Sequence, residues 1–301
     1  MKLLLLGANG QVGWELQRAL SPLGQLKACD STTADLNDFA KLTALVRAYK
    51  PTHIINAAAY TAVDLAEKEP DKAERINATA VKLLAEEAKR LDAWLVHYST
   101  DYVFDGRKTG SYIETDANNP LSTYGLSKLN GENAILASGC KHLIFRTSWV
   151  YAAHGANFAR TMLRLAQEKS ELNIVADQFG APTSAELIAD VTAHCLYRLA
   201  HDAELEKMAS GLYHLVASGE TNWHGYAQQL IAAAQESGAT LRATAEDVHP
   251  IPTDQYPLPA TRPANSRLNT QKLADTFNVY LPPWQQHLKR LVSELVSQGH
   301  L

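Results

Sequence analysis

Short apolar runs alternate along the first half of the chain with longer stretches whose apolar residues recur every third or fourth position. The runs Lys2–Leu6, Gln25–Cys29, His53–Asn56, 94–98 and 142–146 predict β-strands, each bounded by turn or capping residues. Between them, Gln11–Leu20, Phe39–Tyr49, 70–90 and 124–136 predict amphipathic helices. In the third of these, Val81, Leu84, Ala85 and Ala88 share one helical face. Strands and helices in strict alternation imply right-handed βαβ crossovers and a parallel sheet covered on both faces.

The second half is less regular. Residues 211–217 read as a further buried strand and 222–234 as a further helix, so the sheet is expected to continue there. Five of the 12 prolines fall within 250–263, which predicts an extended, fixed loop rather than a helix or a central strand. No repeat, low-complexity tract or flexible Gly/Ser linker separates the halves. The expected organisation is therefore an interleaved one: 1–150 with 184–220 as the main domain, and 151–183 with 221–301 as a smaller lobe.

Composition narrows the function. A net charge of −4 without a basic run argues against a nucleic-acid partner and for a small-molecule substrate. Cys29, Cys140 and Cys195 are widely spaced, form no C-x-x-C pair and read as reduced thiols of a cytoplasmic protein. The leucines Leu3 to Leu6 are too few for a signal-peptide core, and no apolar run is long enough to span a bilayer.

Gly7-Ala8-Asn9-Gly10-Gln11-Val12-Gly13 lies between the first strand and the first helix. Glycines there let the backbone turn tightly and approach a pyrophosphate, which then meets the helix N-terminus. This is the dinucleotide-binding arrangement of a Rossmann-type, doubly wound α/β fold, in G-x-x-G-x-x-G spacing. A lone pattern of this kind also fits an ordinary strand-to-helix turn. Asp30, at the end of the second strand, suits the ribose hydroxyls of NAD, while Ser31, Thr32 and Thr33 beside it can solvate the phosphate of NADP. NADH and NADPH thus both remain open. Asp35 and Leu36 are candidates for the adenine pocket. Ala57-Ala58-Ala59, continued by Tyr60 and Thr61, leaves room for a cofactor after the third strand.

Tyr124 and Lys128 are four apart in a predicted helix, so both side chains rise on one face. An ammonium beside a phenol stabilises the phenolate and turns tyrosine into a usable proton donor. Thr100 stands at the carboxyl end of the fourth strand, where ligands of parallel sheets bind, and can hydrogen-bond a carbonyl that Tyr124 protonates. Each feature alone also fits a surface pair or a strand-end turn.

Together, Gly7 to Gly13, Asn56-Ala57-Ala58-Ala59, Ser99-Thr100-Asp101-Tyr102-Val103-Phe104 and Tyr124-Gly125-x-x-Lys128 resemble the extended short-chain dehydrogenase/reductases acting on nucleotide sugars. Arg146-Thr147-Ser148-Trp149-Val150-Tyr151, Asp177-Gln178-Phe179-Gly180-Ala181-Pro182-Thr183 and Arg262-Pro263-x-x-Ser266-x-Leu268 are similar, within that group, to the dTDP-4-dehydrorhamnose reductases. The resemblance covers nearly the whole chain.

It implies reduction by NADPH or NADH of the 4-keto group of dTDP-4-dehydro-L-rhamnose, a step supplying surface polysaccharides. Tyr124 would donate the proton, Lys128 would bind the nicotinamide ribose and tune Tyr124, and Thr100 would orient the carbonyl. Trp149 would pack on the sugar, with Asp101 and Tyr102 as weaker substrate contacts. Arg262, Arg267 and Asn265 lie in or just after the proline-rich loop, where an arginine fork suits the diphosphate. Some members of the family pair into a homodimer through magnesium held by acidic side chains, and the matching positions are Glu15, Glu186 and Asp190. The bland alternative for these is a solvated acidic face.

Two rivals stay in view. A 4,6-dehydratase or 4-epimerase would use the same scaffold, although Tyr102 stands where a dehydratase is expected to carry Glu. A non-catalytic cofactor-binding subunit would have no use for Thr100, Tyr124 and Lys128 together.

Overall fold

The computed structural model describes residues 1–299 and 301. Its first half is built of β1 (Lys2–Leu6), α1 (Gln11–Leu20), β2 (Gln25–Cys29), α2 (Phe39–Tyr49), β3 (His53–Asn56), the short α3 (Val63–Ala66) and α4 (Pro70–Glu74), α5 (Ala80–Leu91), β4 (Trp94–Thr100), α6 (Thr123–Ser138) and β5 (Lys141–Thr147). The second half adds β6 (Val150–Tyr151), α7 (Phe158–Glu168), β7 (Leu172–Val175), β8 (Phe179–Gly180), β9 (Thr183–Ser184), α8 (Ala185–His201) and α9 (Ala203–Met208). It ends with β10 (Gly211–His214), β11 (Thr221–Asn222), α10 (Trp223–Glu236), β12 (Val248–Ile251), α11 (Gln271–Phe277) and α12 (Trp284–Ser297).

Six strands form one parallel sheet in the order β10-β5-β4-β3-β1-β2. The two-residue side-chain period sends Leu3, Leu5, Trp94 and Val96 to one core and Leu4, Leu6, Ile54 and Leu95 to the other. Helices α2 and α5 cover the second core, with Leu42, Val46, Val81, Leu84, Ala85 and Ala88 buried in it. Helices α1, α8, α10 and α12 cover the first. Strand order reverses between β1 and β3, and ligand clefts of open α/β sheets form at such switch points.

Three departures from the expected elements have physical causes. The helix expected over 70–90 is interrupted by a π-helical turn at Arg75–Thr79. There the Asn77 side chain bonds both the N–H and the C=O of Tyr60, and the α6 backbone at Gly131 packs against the Asn77 carbonyl. The strand expected over 211–217 stops at His214, because Ala217 and Ser218 turn their amides to Thr183 and Pro282. The proline-rich segment begins as a strand: β12 pairs with β7 in a two-stranded sheet, with Pro250 inside it.

The remaining short strands pair as β11 with β8 and β6 with β9, away from the main sheet. Cys29, Cys140 and Cys195 are buried thiols. No helix among the described residues is long and apolar enough to cross a membrane.

Candidate active site

A cleft of ≈ 720 Å³ opens at the carboxyl ends of β1, β3 and β4. Its floor is the glycine turn. Gly7 has φ +84°, and a Cβ there would lie 2.6 Å from the Ala58 nitrogen. A Cβ on Gly13 would lie 1.9 Å from the Gly7 carbonyl oxygen, so Gly13 is needed for packing although it does not line the cleft. Gly7, Asn9, Gly10, Gln11 and Val12 do line it. The loop after β6 crosses this turn, with His154 Nε2 3.0 Å from the Asn9 carbonyl and Asn157 Nδ2 donating to Gln11 Oε1 at 2.9 Å.

Asp30, Asp35, Leu36, Ala58, Ala59 and Thr61 form one end of the cleft. The Asp30 carboxylate accepts from the hydroxyls of Thr32 (2.7 Å) and Thr33 (2.9 Å), from their amides, and from Asn9 Nδ2 (3.1 Å). The Thr32 and Thr33 hydrogen bonds hold it down at about 2. An anionic carboxylate held at this position favours hydroxyl donors over a phosphate. Tyr60 departs from expectation: its hydroxyl donates to Glu69 at 2.7 Å and its ring does not line the cleft.

At the other end stand Thr100, Asp101, Tyr102, Tyr124, Lys128 and Trp149. Ser122 caps α6 by accepting from the Gly125 amide, and the helix carries Tyr124 and Lys128 on one face into the cleft. The Thr100 hydroxyl donates to Asp101 Oδ1 at 3.0 Å and accepts from the Tyr102 amide at 3.2 Å. The Tyr102 and Tyr124 rings meet edge to face at 5.6 Å. Burial pushes the Asp101 carboxyl up to about 6. A hydroxyl donor, a phenol and an ammonium converging at strand ends can polarise a carbonyl and protonate its oxygen.

One electrostatic expectation is corrected. Burial pushes the Tyr124 phenol up to about 12 rather than down, because the Lys128 ammonium is aimed elsewhere. It donates to the Tyr98 carbonyl at 2.6 Å and lies 3.3 Å from His97 Nε2. Burial also draws Lys128 down to about 8, with Glu132 acting the other way. Glu132 is held by a two-pronged, fully buried ion pair with Arg146 (2.6 and 2.9 Å).

Trp149 adopts φ +50°, a left-handed conformation that costs an L-residue energy. It is held there by a stack on Trp223 at 3.7 Å and by Gly180, where a Cβ would come within 2.8 Å of the Trp149 ring. Gln178 accepts from the Trp223 indole at 3.1 Å and donates to Thr253 at 3.1 Å, so the stack is tied to the proline-rich loop.

The expected diphosphate arginines are already engaged. Arg262 grips Asp64 with both arms at 2.6 Å, and Arg267 pairs with Glu220 at 2.8 Å above the Phe179 ring. Neither lines the cleft, and Asn265 donates to the carbonyls of Lys108 and Gly110. The packing of α1 on α8 does bring Glu15, Glu186 and Asp190 together, but Arg18 lies 2.8 Å from Asp190 and 3.4 Å from Glu15, and Arg290 lies 2.9 Å from Glu186. The carboxylates face guanidinium groups instead of converging on one point, and no metal-holding cluster occurs among the described residues. Magnesium does not fit this arrangement.

Asn77, His97, Trp223, Asp64 and Glu220 were not singled out by sequence reasoning. Only Asn77 carried a signal, as a polar residue on the apolar face of a predicted helix.

Comparison with known proteins identifies the family. A family model described as the RmlD substrate binding domain matches residues 1–297. The dTDP-4-dehydrorhamnose reductases of Shigella flexneri and Escherichia coli K12 are each 51% identical over 301 residues, covering 99% of both chains. A crystal structure of dTDP-4-dehydrorhamnose reductase from Bacillus anthracis in complex with NADP is 33% identical, with a TM-score of 0.87 over 98% of this chain and 100% of that one. The corresponding enzyme of Clostridium acetobutylicum also superposes with a TM-score of 0.87 at 33% identity, over all of both chains. The chain belongs to the RmlD substrate-binding-domain family, that of the dTDP-4-dehydrorhamnose reductases.

Proposed function

We propose that this protein reduces the 4-keto group of dTDP-4-dehydro-L-rhamnose to dTDP-L-rhamnose, using NADH or NADPH. The observation that carries the reading is the convergence of Thr100, Tyr124 and Lys128 beside a glycine cradle with no room for a Cβ. The reduced nicotinamide supplies the hydride. Gly7, Gly10, Gln11 and Val12, which line the cleft at the N-terminus of α1, would hold its diphosphate, and Asp30 would take the adenosine ribose. Thr100 donates to the C4 oxygen and orients the carbonyl. Tyr124 would give its phenolic proton to that oxygen, completing the hydroxyl, and would regain a proton from solvent. Lys128 would hold the nicotinamide ribose, and its charge would steady the Tyr124 phenolate when the cleft is filled.

On the sugar side, Trp149 packs against the hexose, with Asp101 and Tyr102 beneath it. Residues 1–150 with 184–220 hold the dinucleotide, and 151–183 with 221–301 hold the dTDP-sugar. Arg262 and Arg267 reach the diphosphate only by exchanging partners with Asp64 and Glu220. The setting is cytoplasmic, where both nicotinamides and the nucleotide sugar are available.

The test is the loss of reduced-nicotinamide absorbance on adding dTDP-4-dehydro-L-rhamnose, with the product sugar identified. Substrate-dependent oxidation that yields dTDP-L-rhamnose is expected with both cofactors. Asp30→Ala is expected to shift preference toward NADPH. No oxidation by folded, cofactor-bound protein overturns the reading.

A further inference from the structure

His97 lies fully buried on β4, with both ring nitrogens against buried polar side chains. Its Nε2 faces the Lys128 ammonium at 3.3 Å, and its Nδ1 lies 3.2 Å from the side-chain amide of Asn56. The parallel register of β3 and β4 sets Asn56 directly beside His97, so this contact is built into the sheet. A neutral imidazole accepts at only one nitrogen, and Asn56 and Lys128 therefore cannot both donate to it. The charged donor makes the stronger bond, which leaves the ring proton on Nδ1 and turns the Asn56 carbonyl toward it. The one competing contact of that carbonyl, from the Ala58 amide, is long at 3.3 Å.

We infer that His97 is a positioning residue for Lys128: oriented by Asn56, its imidazole accepts from the buried ammonium and keeps it in place and charged. The inference rests on the role proposed for Lys128 above. The Tyr98 carbonyl at 2.6 Å is the other acceptor in contact with this ammonium. Few charges act on the pair. Glu132, on the same helix, acts on Lys128 but is itself tied to Arg146 of β5; Tyr124 shares the cleft wall; Asn56 of β3 and Asn77 beside α5 are uncharged. Burial and Lys128 together hold His97 neutral. Burial, opposed by the Glu132 charge, brings Lys128 down to about 8, so loss of an accepting bond shifts it further toward the neutral form.

The titration of Lys128 can be read without turnover in the cofactor-free protein, from lysines labelled at Cε and Nζ by NMR, its signal assigned by its loss in Lys128→Met. In His97→Leu the midpoint is expected about one pH unit lower, an approximately tenfold change in the protonation equilibrium. His97→Gln, which still accepts, is expected to restore most of it. In turnover, the fall of kcat/KM at high pH moves down by the same amount in His97→Leu. A folded His97→Leu whose Lys128 midpoint coincides with that of the unsubstituted protein overturns the inference. Should that variant not fold, Asn56→Ser, which frees the ring in place, decides: a lower midpoint supports the inference and an unmoved one overturns it. A displaced midpoint in a protein that reduces no dTDP-sugar would overturn the proposed function alone.

Discussion

The two ends of the cleft are constructed differently. At the cofactor end, backbone groups and neighbouring residues do the work: Gly7 to Val12 are consecutive, and Asp30 is satisfied by Thr32 and Thr33. At the sugar end, side chains far apart in sequence hold one another, as in Arg262 on Asp64, Trp149 on Trp223 and Gln178 between Trp223 and Thr253. The first end is complete before any ligand arrives. The second is a set of partnerships, and under the proposed function its arginines would serve a diphosphate only by giving up the carboxylates of Asp64 and Glu220. Rigid local construction suits a cofactor common to many reactions, whereas exchangeable contacts between distant segments are where substrate choice is set.

The sharpest way to separate the chemistry from both ends is Tyr124→Phe. Its kcat is expected to fall about 10³-fold, with cofactor binding followed by nicotinamide fluorescence unchanged. An unaltered kcat would remove Tyr124 from the proton-donating role.

Gly13→Ala tests the cofactor end, where a Cβ would meet the Gly7 carbonyl oxygen at 1.9 Å. We expect a loss of about 3 kcal/mol in stability, measured by denaturant unfolding, together with weakened cofactor binding. A variant as stable as the parent would show that the turn is adaptable and the contrast between the two ends overstated.

Asp101→Asn probes, through pH, the buried carboxyl at the end of the cleft that holds Thr100 and Tyr124. The folded carboxyl is raised to about 6 from an ordinary value of 3.8. Its contribution is therefore fully present below about pH 4 and is lost as pH rises through 6. At pH 7 the variant is expected to be more stable than the parent by on the order of 2 kcal/mol, and at pH 3.5 to have no advantage. Equal stability differences at both pH values would mean that Asp101 is not the titrating group.

The smallest effect is expected at the sugar end, from Trp223→Leu. Trp149 loses its stacking partner and relaxes from its left-handed backbone, so KM for the sugar nucleotide rises about tenfold while that for the cofactor stays the same. Near-ultraviolet circular dichroism should lose the signal of the stacked indoles at the same time. A rise in both KM values would break the separation between the two ends.

Legibility in the sequence followed the same divide. Strands β1, β2 and β3 and helices α1 and α2 have the predicted bounds, because the helices carry their own amphipathic pattern and the strands are short runs closed off by adjacent turns. The helix over 70–90 was misjudged because Asn77 satisfies the backbone of Tyr60, 17 residues away, in preference to a regular helical ladder. Tyr60 directly follows the cleft-lining run Ala57-Ala58-Ala59, but Glu69 draws its hydroxyl aside. Arg262 and Arg267 looked free because nothing local marks Asp64 or Glu220 as their partners. Glu15, Glu186 and Asp190 do meet, yet Arg18 and Arg290 meet them too.

By itself the sequence determined the alternation of strands and helices and the glycine turn, and it put forward Thr100, Tyr124 and Lys128 as candidates, because periodicity and short spacings are properties of neighbouring residues. Only the tertiary structure decided which way the Lys128 ammonium points, that His97 and Asn56 stand behind it, that the Trp149 backbone is strained against Trp223, and that the arginines are paired. Those outcomes depend on burial and on contacts between segments up to 198 residues apart, which no local pattern encodes.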